Sequence, residues 1–314
     1  MKLIRSLSAA VFGLVLAASS VIPAEATYPG RVGRLAFGLT QPGATSPDIY
    51  SVRPDGTGLR QLTDDPGFDA CAAYNARGDQ IAFCSDRLDP GGVFEIWTMR
   101  ADGANQRQLT HLGGRATFPD FSPHDRRVAF QWRAPTATRF DLWTIRSNGR
   151  KPRQLTNTPE VHEQWPAWSP TGRAIAFIRS DAAGTTTQLW LMDRHGRHQR
   201  QLTFDTALKD QLPDWRPDGK QIAYMAGNDI WLINPDGTGQ TNITNTPHVQ
   251  EYGTAWSPDG HRIAYLNSAE RRVYTMRPDG TDVQPVGPVT GLQFVPGWQA
   301  KQRHHHHHHH EAST

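Results

Sequence analysis

Short apolar runs joined by turn residues recur along most of this chain. The clearest copy is TAWSPDGHRIAY at residues 254–265, where an aromatic residue, a Pro-Asp-Gly turn and an Ile-Ala-Tyr run follow one another. Two apolar runs linked by such turn residues indicate a β-hairpin. Similar stretches begin at Trp168 and Trp215, and weaker ones at Tyr74 and Phe121. The pattern predicts strands from end to end and no long amphipathic helix.

Each repeat divides into four short strands. The first contains the aromatic residue before the turn, the second is the Ile-Ala-Phe type of run, the third alternates polar and apolar residues, and the fourth follows a second Asp-Gly type of turn and ends in Leu-Thr. The second strands recur every 41–47 residues and end at Phe37, Phe83, Phe130, Phe177, Tyr224 and Tyr265. Four strands at this period are typical of a β-propeller blade. The sequence therefore predicts an all-β, six-bladed propeller of four-stranded antiparallel blades.

The first repeat begins at its second strand, and its missing first strand is found at the other end of the chain. Residues 294–298, FVPGW, match the Pro-x-Trp of residues 165–168 and 212–215. We therefore expect the C-terminal strand to complete the N-terminal blade and close the ring, which removes unpaired strand edges.

The combination of Trp-Ser-Pro-Asp-Gly, Ile-Ala-Phe/Tyr, Ser85-Asp86-Arg87, the Asp-Gly turn and Leu-Thr resembles the repeat of TolB-like (WD40-like) propellers. The resemblance covers about residues 31–299. TolB carries an additional N-terminal α/β domain before its propeller. Only a few residues separate the first predicted strand from the N-terminal segment described next, so we expect that domain to be absent.

The N-terminus has the features of a secretory signal peptide. Lys2 and Arg5 precede an apolar run at residues 7–18, and Ala24-Glu25-Ala26 supplies a cleavage site. We therefore predict a signal peptide at residues 1–26, a propeller at 31–299 and a periplasmic or secreted protein without a membrane span. Residues 300–314 form a His-rich tail, with seven histidines at 304–310, which is either native or a purification tag.

The charge balance excludes some partners. Removal of residues 1–26 lowers the formal net charge of +3 by one, and no basic run remains, so we expect no nucleic acid partner. We expect a monomer that binds a protein, peptide or glycan of the cell envelope or the extracellular space.

Cys71 and Cys84 are the two cysteines of the chain. If Asn75 and Gln80 flank the hairpin turn as a pair, the cysteines face each other directly across two antiparallel strands. A non-hydrogen-bonded pair with Cα atoms about 4.5 Å apart accepts a disulfide. Because an exported protein retains disulfides, we predict a structural bond rather than a redox-active pair.

Loop lengths suggest where a partner binds. The aromatic residues of the second and third strands are 13, 14, 13 and 13 residues apart in repeats one to four, but 7 and 9 apart in repeats five and six. The long connections share a face with the loops that lead to the next blade, whereas the opposite face carries uniform turns and is expected to be inert. Variable loops on a rigid scaffold commonly bind partners. The candidate binding residues on the long-loop face are Arg87, Asp89, Trp132, Arg133, Arg139 and Arg179. The alternative to a binding surface is that these loops are solvated and have no role. Trp132 could also fold back on its own blade instead of contacting a partner.

Four carboxylates stand five positions before the aromatic residue of a first strand: Asp69, Glu163, Asp210 and Glu251. If they surround the mouth of the central channel, their oxygens suit Ca²⁺ or another divalent cation. The alternative is that they cap turns or hydrogen-bond the neighbouring blade. His111, His162 and His248 lie in the same connections but not at equivalent positions.

Motifs of catalysis are missing. The chain has no Gly-x-Ser-x-Gly nucleophile elbow, phosphate-binding Gly loop or EF-hand loop. We therefore assign no catalytic residue, no metal ligand and no cofactor. The sequence favours an exported, non-enzymatic binding or scaffold propeller, with a metal-dependent lyase or lactonase acting in the central channel as the alternative.

Overall fold

The computed structural model describes residues 29–205, 210–246, 248–286, 292–293 and 296–301. The elements assigned there are 25 β-strands, arranged in six antiparallel sheets. The predicted signal peptide and the His-rich tail lie outside the described residues.

Blade one combines strands from both ends of the chain: β1 (Arg31–Thr40), β2 (Asp48–Val52), β3 (Arg60–Gln61), β24 (Leu292–Gln293) and β25 (Gly297–Lys301). Blade two contains β4 (Asp69–Tyr74), β5 (Gln80–Ser85), β6 (Glu95–Arg100) and β7 (Arg107–Gln108). Blade three contains β8 (Arg115–Phe121), β9 (Arg127–Arg133), β10 (Asp141–Arg146) and β11 (Arg153–Gln154).

Blade four contains β12 (Glu163–Trp168), β13 (Ala174–Ser180), β14 (Thr187–Asp193) and β15 (Arg200–Gln201). Blade five contains β16 (Asp210–Trp215), β17 (Ile222–Ala226), β18 (Asp229–Ile233) and β19 (Thr241–Asn242). Blade six contains β20 (Glu251–Trp256), β21 (Ile263–Asn267), β22 (Arg272–Met276) and β23 (Gln284–Pro285). The predicted six-bladed propeller is confirmed.

The second strand of each blade forms its core. In blade two, Ile81, Ala82 and Phe83 are fully buried, as are their counterparts in the other blades apart from a trace of exposure at Tyr265. Such continuous apolar runs arise because adjacent blades cover both sides of the strand. The aromatic residue that ends the run pairs directly with the aromatic residue of the third strand in all six blades, as Phe83 does with Trp97.

The two turn motifs have distinct structural roles. The threonine of the Leu-Thr motif lies beside the third strand of its blade, and its hydroxyl accepts a hydrogen bond from a backbone amide of that strand. Thr110, for example, accepts from the Ile96 amide at 2.8 Å. The Asp-Gly turn places its glycine in the left-handed region and against the preceding blade. Gly103 has φ +90°, and a Cβ there would lie 2.7 Å from the Leu62 carbonyl oxygen. Only glycine satisfies both conditions without strain.

Ring closure follows the prediction. Strands β24 and β25 both pair with β1, with Leu35 opposite Trp298 and Leu39 opposite Gln293. They therefore replace the first strand of blade one, and the two ends of the described chain share one sheet.

The innermost strand of blades two to six contains a β-bulge. Its extra residue has a left-handed backbone: Cys71, Phe118, Trp165, Leu212 and Gly253 have φ between 46° and 67°. A bulge shifts the pairing register and re-aims the side chain. All five bulges occur at the same depth in the blade, so they shape the wall of the central channel.

The bulge in β4 gives the disulfide a different geometry from the one predicted. The Cys71–Cys84 bond is present, with Cα atoms 5.7 Å apart, within the usual range. The predicted direct pairing of the two cysteines is wrong, because Cys84 faces Ala70 across the strands and Cys71 is the extra residue. The assumed register does hold below the bulge, where Tyr74 faces Ile81.

Within the described residues, no helix is long and apolar enough to cross a membrane.

Candidate functional site: the loop face and the central channel

The inner strands of all six blades surround a cavity of about 140 Å³ on the propeller axis. Half-buried Phe118, Trp165 and Leu212 form part of its wall, and the rings of Phe118 and Trp165 meet edge to face at 6.1 Å. Each of the three residues is followed by a proline that also lines the cavity. The channel wall is therefore largely apolar and rigid.

Two carboxyl groups interrupt this apolar wall. Asp120 of blade three accepts a hydrogen bond from the Trp168 amide of blade four, and Asp214 of blade five accepts one from the Trp256 amide of blade six, both at 2.6 Å. Alanine or glycine occupies the equivalent position in the other four blades.

Burial governs the protonation of this pair. It raises the pKa of Asp120 to about 8 and that of Asp214 to about 7, with the charge of Asp214 adding to the shift at Asp120. The two side chains join neighbouring blades and place titratable groups in the channel.

The predicted loop-face arginines Arg87 and Arg179 turn inward. The Arg87 guanidinium lies 4.6 Å from the centre of the Trp97 ring and pairs with Asp69 at 2.7 Å, with its side chain 10% exposed. Arg179 lies 4.5 Å from the centre of the Trp190 ring and pairs with Glu163 at 2.5 Å.

A glutamine of the following turn completes each arrangement, since Gln106 accepts from Arg87 at 2.6 Å and Gln199 from Arg179 at 2.5 Å. These arginines reach the same arrangement from different sequence positions. In blades two and four the guanidinium thus connects the loop between the second and third strands to the inner strand and to the turn after the third strand.

The four predicted channel-mouth carboxylates are buried at the junctions between blades and do not line the cavity. Asp69, Glu163, Asp210 and Glu251 are 0–3% exposed. Their backbone amides bond to carbonyls of the preceding blade in three cases, as Glu163 does to Phe140 at 2.9 Å.

Asp210 accepts hydrogen bonds from the Thr203 hydroxyl and, at 3.1 Å, from the Leu189 amide. Burial raises its pKa to about 7 and also raises the pKa of Glu251, while Thr244 and Thr246 oppose the shift at Glu251. These carboxylates hydrogen-bond the neighbouring blade, the alternative that the sequence left open.

Trp132 also folds back on its own blade. Its ring packs edge to face on Trp143 at 5.2 Å, next to the core of blades two and three. Trp132 therefore occupies the position above the third-strand tryptophan that an arginine fills in blades two and four.

The other predicted loop residues have local contacts. Arg133 lies 5.1 Å from the ring centre of Phe140, and Arg139 donates to the Ala182 carbonyl of the next blade at 3.3 Å. Exposed Asp89 accepts from the Val93 amide at 3.2 Å and closes its own loop. These three residues lie on one face, but their described contacts stabilise the loops.

Two apolar side chains on the loop face remain exposed. Leu88, in the loop between β5 and β6, is 70% exposed, and Phe204, just after β15, is 71% exposed. Leu88 follows Ser85 at the end of β5, which pairs with Asp69 at the start of β4. Phe204 precedes Asp210 at the start of β16, which pairs with the last residue of β17, so both residues lie at the same end of the blades. Neither residue belongs to a pattern that predicts a site from the sequence.

His111, His162 and His248 belong to no potential metal-binding group among the described residues. The ring centre of His162 lies 6.0 Å from that of Phe140, with the two rings tilted by 38°. Burial lowers the pKa of His162, and the charges of Arg139 and Arg133 act in the same direction. His111 is exposed. The part of the chain that the structure describes contains no group of three or more His, Cys, Asp or Glu side chains that could hold a metal ion.

The comparison with protein families agrees with this architecture. The family described as the TolB beta propeller domain matches residues 18–211, well over half of the 314 residues. The chain belongs to the TolB beta-propeller family. The N-terminal region of dipeptidyl peptidase IV also matches, over residues 182–282. No curated protein matches the chain.

Solved structures share the fold at low sequence identity. TolB from Acinetobacter baumannii is 18% identical with a TM-score of 0.70, and the match covers 86% of this chain and 67% of that one. A chain of a nidogen/laminin complex is 11% identical, with a TM-score of 0.69 and coverage of 86% and 99%. Hydrazine synthase from Kuenenia stuttgartiensis is 14% identical, with a TM-score of 0.71 and coverage of 87% and 48%. At these identities the likeness concerns the fold alone.

The channel carboxylates had a signal in the sequence. Phe118-Pro119-Asp120 and Leu212-Pro213-Asp214 are the same tripeptide pattern at equivalent places in two blades. Ring closure was predicted from the Pro-x-Trp pattern, which residues 212–215 share but residues 118–121 do not. The left-handed bulge that turns these segments toward the axis has no clear mark in the sequence.

Proposed function

We propose that this protein is an exported, TolB-like binding propeller that recognises a protein partner through its loop face. That face consists of the connections between second and third strands in blades one to four, with the adjoining segments that lead to the next blade. The described connections span 7, 9, 7 and 6 residues in those blades but 2 and 4 in blades five and six.

The observation that carries the proposal is the exposure of Leu88 and Phe204. They are the two most exposed large apolar side chains of the described residues, and both lie on the loop face. Large apolar side chains that become buried on binding supply much of the affinity of protein interfaces. Exposed Asp89 and Arg115 on the same face supply polar groups, as the rim of a protein interface does.

The inward arginines support this role indirectly. Because Arg87 and Arg179 connect the loops to buried carboxylates and tryptophan rings, the loop face is held in place before a partner arrives. A preorganised surface loses less conformational entropy on binding.

Export has separate support. The Cys71–Cys84 disulfide suits an oxidising compartment. The basic and apolar N-terminus has the sequence features of a signal peptide.

The experiment places a photo-crosslinking amino acid at position 88 or 204 and irradiates the protein in envelope extract of its native source. We expect the same discrete adducts from both positions. Val283, 51% exposed at the turn end of blade six, is the matched control position and should give none of them.

Competition with unlabelled protein tests whether the adducts report specific binding. Wild type and Val283→Asp should abolish the adducts, whereas Leu88→Asp/Phe204→Asp should compete about tenfold less well, as expected when two apolar anchors are removed. Equal competition by the loop-face variant, or adducts from position 283 alone, would overturn the proposal.

A further inference from the structure

The face opposite the loops was expected to be inert because its turns look uniform, yet its charge is not uniform. The turn after the third strand carries an aspartate in four blades, at Asp55, Asp102, Asp236 and Asp279. Blades three and four have Asn148 and His195 at that position.

The replacement by Asn148 keeps the turn and removes its negative charge. Asp102 accepts the Ala104 amide at 3.1 Å and pairs with Arg100 at 3.0 Å. Asn148 accepts the Arg150 amide at the same 3.1 Å, but its amide cannot neutralise Arg146, which occupies the place of Arg100. Arg146 is therefore exposed and has no carboxylate partner among the described ion pairs.

Further cations extend from blade three to blade four. Arg153 donates to the His195 carbonyl at 2.9 Å, and Arg194 donates to the other side of the same residue, at Nε2, at 3.0 Å. Burial lowers the pKa of Arg127, and the charges of Arg146 and Arg153 act in the same direction, so these guanidiniums lie close enough to repel one another.

The nearby acids are already engaged. Asp125 accepts the Ala76 amide at 2.8 Å and pairs with Arg77 of blade two at 3.1 Å. Asp193 accepts two amides of its own turn, at 2.7 and 2.9 Å, and contacts His198. The described ion pairs include none formed by Arg126, Arg127, Arg153 or Arg194.

The cations line two adjoining clefts. Arg77, Arg126, Arg127 and Arg146 line the one between blades two and three. Arg126 and Arg127 also line the next one, between blades three and four, together with Arg153 and Arg194. Because the two clefts share these arginines, they form one basic groove across three blades.

We propose that this basic groove binds a linear acidic polysaccharide. Guanidinium groups match carboxylate and sulfate oxygens with paired hydrogen bonds, and a groove with cations along its length suits a chain that carries repeated anions. None of the most exposed apolar side chains of the described residues lies in it, and Trp168, which lines the second cleft, is only 5% exposed. The groove therefore presents no large exposed apolar anchor of the kind that a membrane-binding surface uses. This surface is separate from the loop face, so either proposal can fail alone.

The test measures binding of the full chain to alginate and heparin oligosaccharides at pH 8, well above the ordinary pKa of a histidine side chain, which limits binding through the His-rich tail. Neutral dextran, a DNA duplex and phosphatidylglycerol vesicles are the comparison ligands. We expect affinity for the acidic oligosaccharides that falls with added salt, and no binding of dextran. Tighter binding of the duplex or the vesicles would overturn the assignment to a polysaccharide.

Charge-matched variants locate the groove. Arg126→Gln/Arg146→Gln/Arg194→Gln should raise the Kd about tenfold, since three exposed cations are lost, whereas Arg60→Gln/Lys220→Gln/Arg271→Gln should change it less than about threefold.

The sharpest single change is Asn148→Asp, which restores the turn aspartate and should weaken binding about threefold at unchanged thermal stability. Asp102→Asn, the reverse change in blade two, should not weaken it. Equal effects of the two triple variants, or unchanged binding by the groove triple variant, would overturn the proposal.

Discussion

Replacing the channel carboxylates Asp120 and Asp214 by asparagine should make the stability of the propeller less sensitive to pH. Each carboxyl accepts a backbone amide of the next blade at 2.6 Å, and an asparagine oxygen can accept the same bond. The substitution therefore removes the titration and leaves the contact between blades in place.

The sign follows from the raised pKa values. The folded pKa is about 8 for Asp120 and about 7 for Asp214, whereas an aspartate in the unfolded chain titrates near 3.9. The folded state holds these protons more tightly, so their contribution to stability is complete below about pH 4 and is lost as pH rises through 7 and 8.

The magnitude follows from the same values. Each pH unit within the window costs about 1.4 kcal/mol per group, so between pH 5 and pH 9 the loss is about 3 kcal/mol for Asp214 and about 4 kcal/mol for Asp120. The channel cavity has room for water, which solvates the ionised carboxylates. Because this solvation stabilises the ionised form, we halve the combined loss of the two groups, which leaves about 3 kcal/mol.

The assay is urea unfolding of wild type, both single variants and Asp120→Asn/Asp214→Asn at pH 5, 7 and 9. Other titrating groups are common to all four proteins and cancel in the difference. We expect the double variant to gain about 3 kcal/mol on wild type between pH 5 and pH 9, with the single variants between them. Parallel stability curves over that range would refute protonation of the channel pair.

Two further perturbations test the scaffold. Cys71→Ser/Cys84→Ser should lower the free energy of unfolding by about 3 kcal/mol, and reduced wild type should match the variant in urea titrations; a reduced protein as stable as the oxidised one would contradict this. Arg179→Gln should lower the free energy of unfolding by about 3 kcal/mol, because it leaves buried Glu163 without its cation. The control Arg173→Gln, at an exposed position, should change it by less than about 0.5 kcal/mol. Thermal unfolding measures both, and equal losses of stability would show that the ion pair has no special role.

The fold could be predicted because each blade repeats the same sequence pattern of apolar runs and turn residues. Runs such as Ile81-Ala82-Phe83 are long enough for a strand and apolar on both sides, and the turns between them contain the residues that their backbone requires. Ring closure was predictable for the same reason, since residues 294–298 repeat a pattern found in complete blades. The disulfide followed from the hairpin register, except for the one-residue shift at the bulge of Cys71.

The binding residues were harder to predict, because loop position does not determine where a side chain points. Arg87 and Arg179 are in variable loops, yet the flat ring of a third-strand tryptophan and a buried carboxylate draw both guanidiniums inward. Trp132 occupies the equivalent place by packing on Trp143. A charged or aromatic residue in a loop thus has an intramolecular alternative to a partner, and spacing along the chain does not distinguish the two.

The basic groove shows that the turns of a repeat protein can differ in charge while they keep the same backbone. A turn can keep its backbone while its charge changes, because an asparagine at position 148 accepts the same amide hydrogen bond as an aspartate at position 102. Uniform turn geometry therefore does not imply uniform chemistry, so the similar turns of this face do not make it inert. A substitution that preserves this hydrogen bond can therefore change the charge of the turn without removing the contact that holds its backbone. Asn148 is such a substitution, and it leaves Arg146 available to an anionic partner.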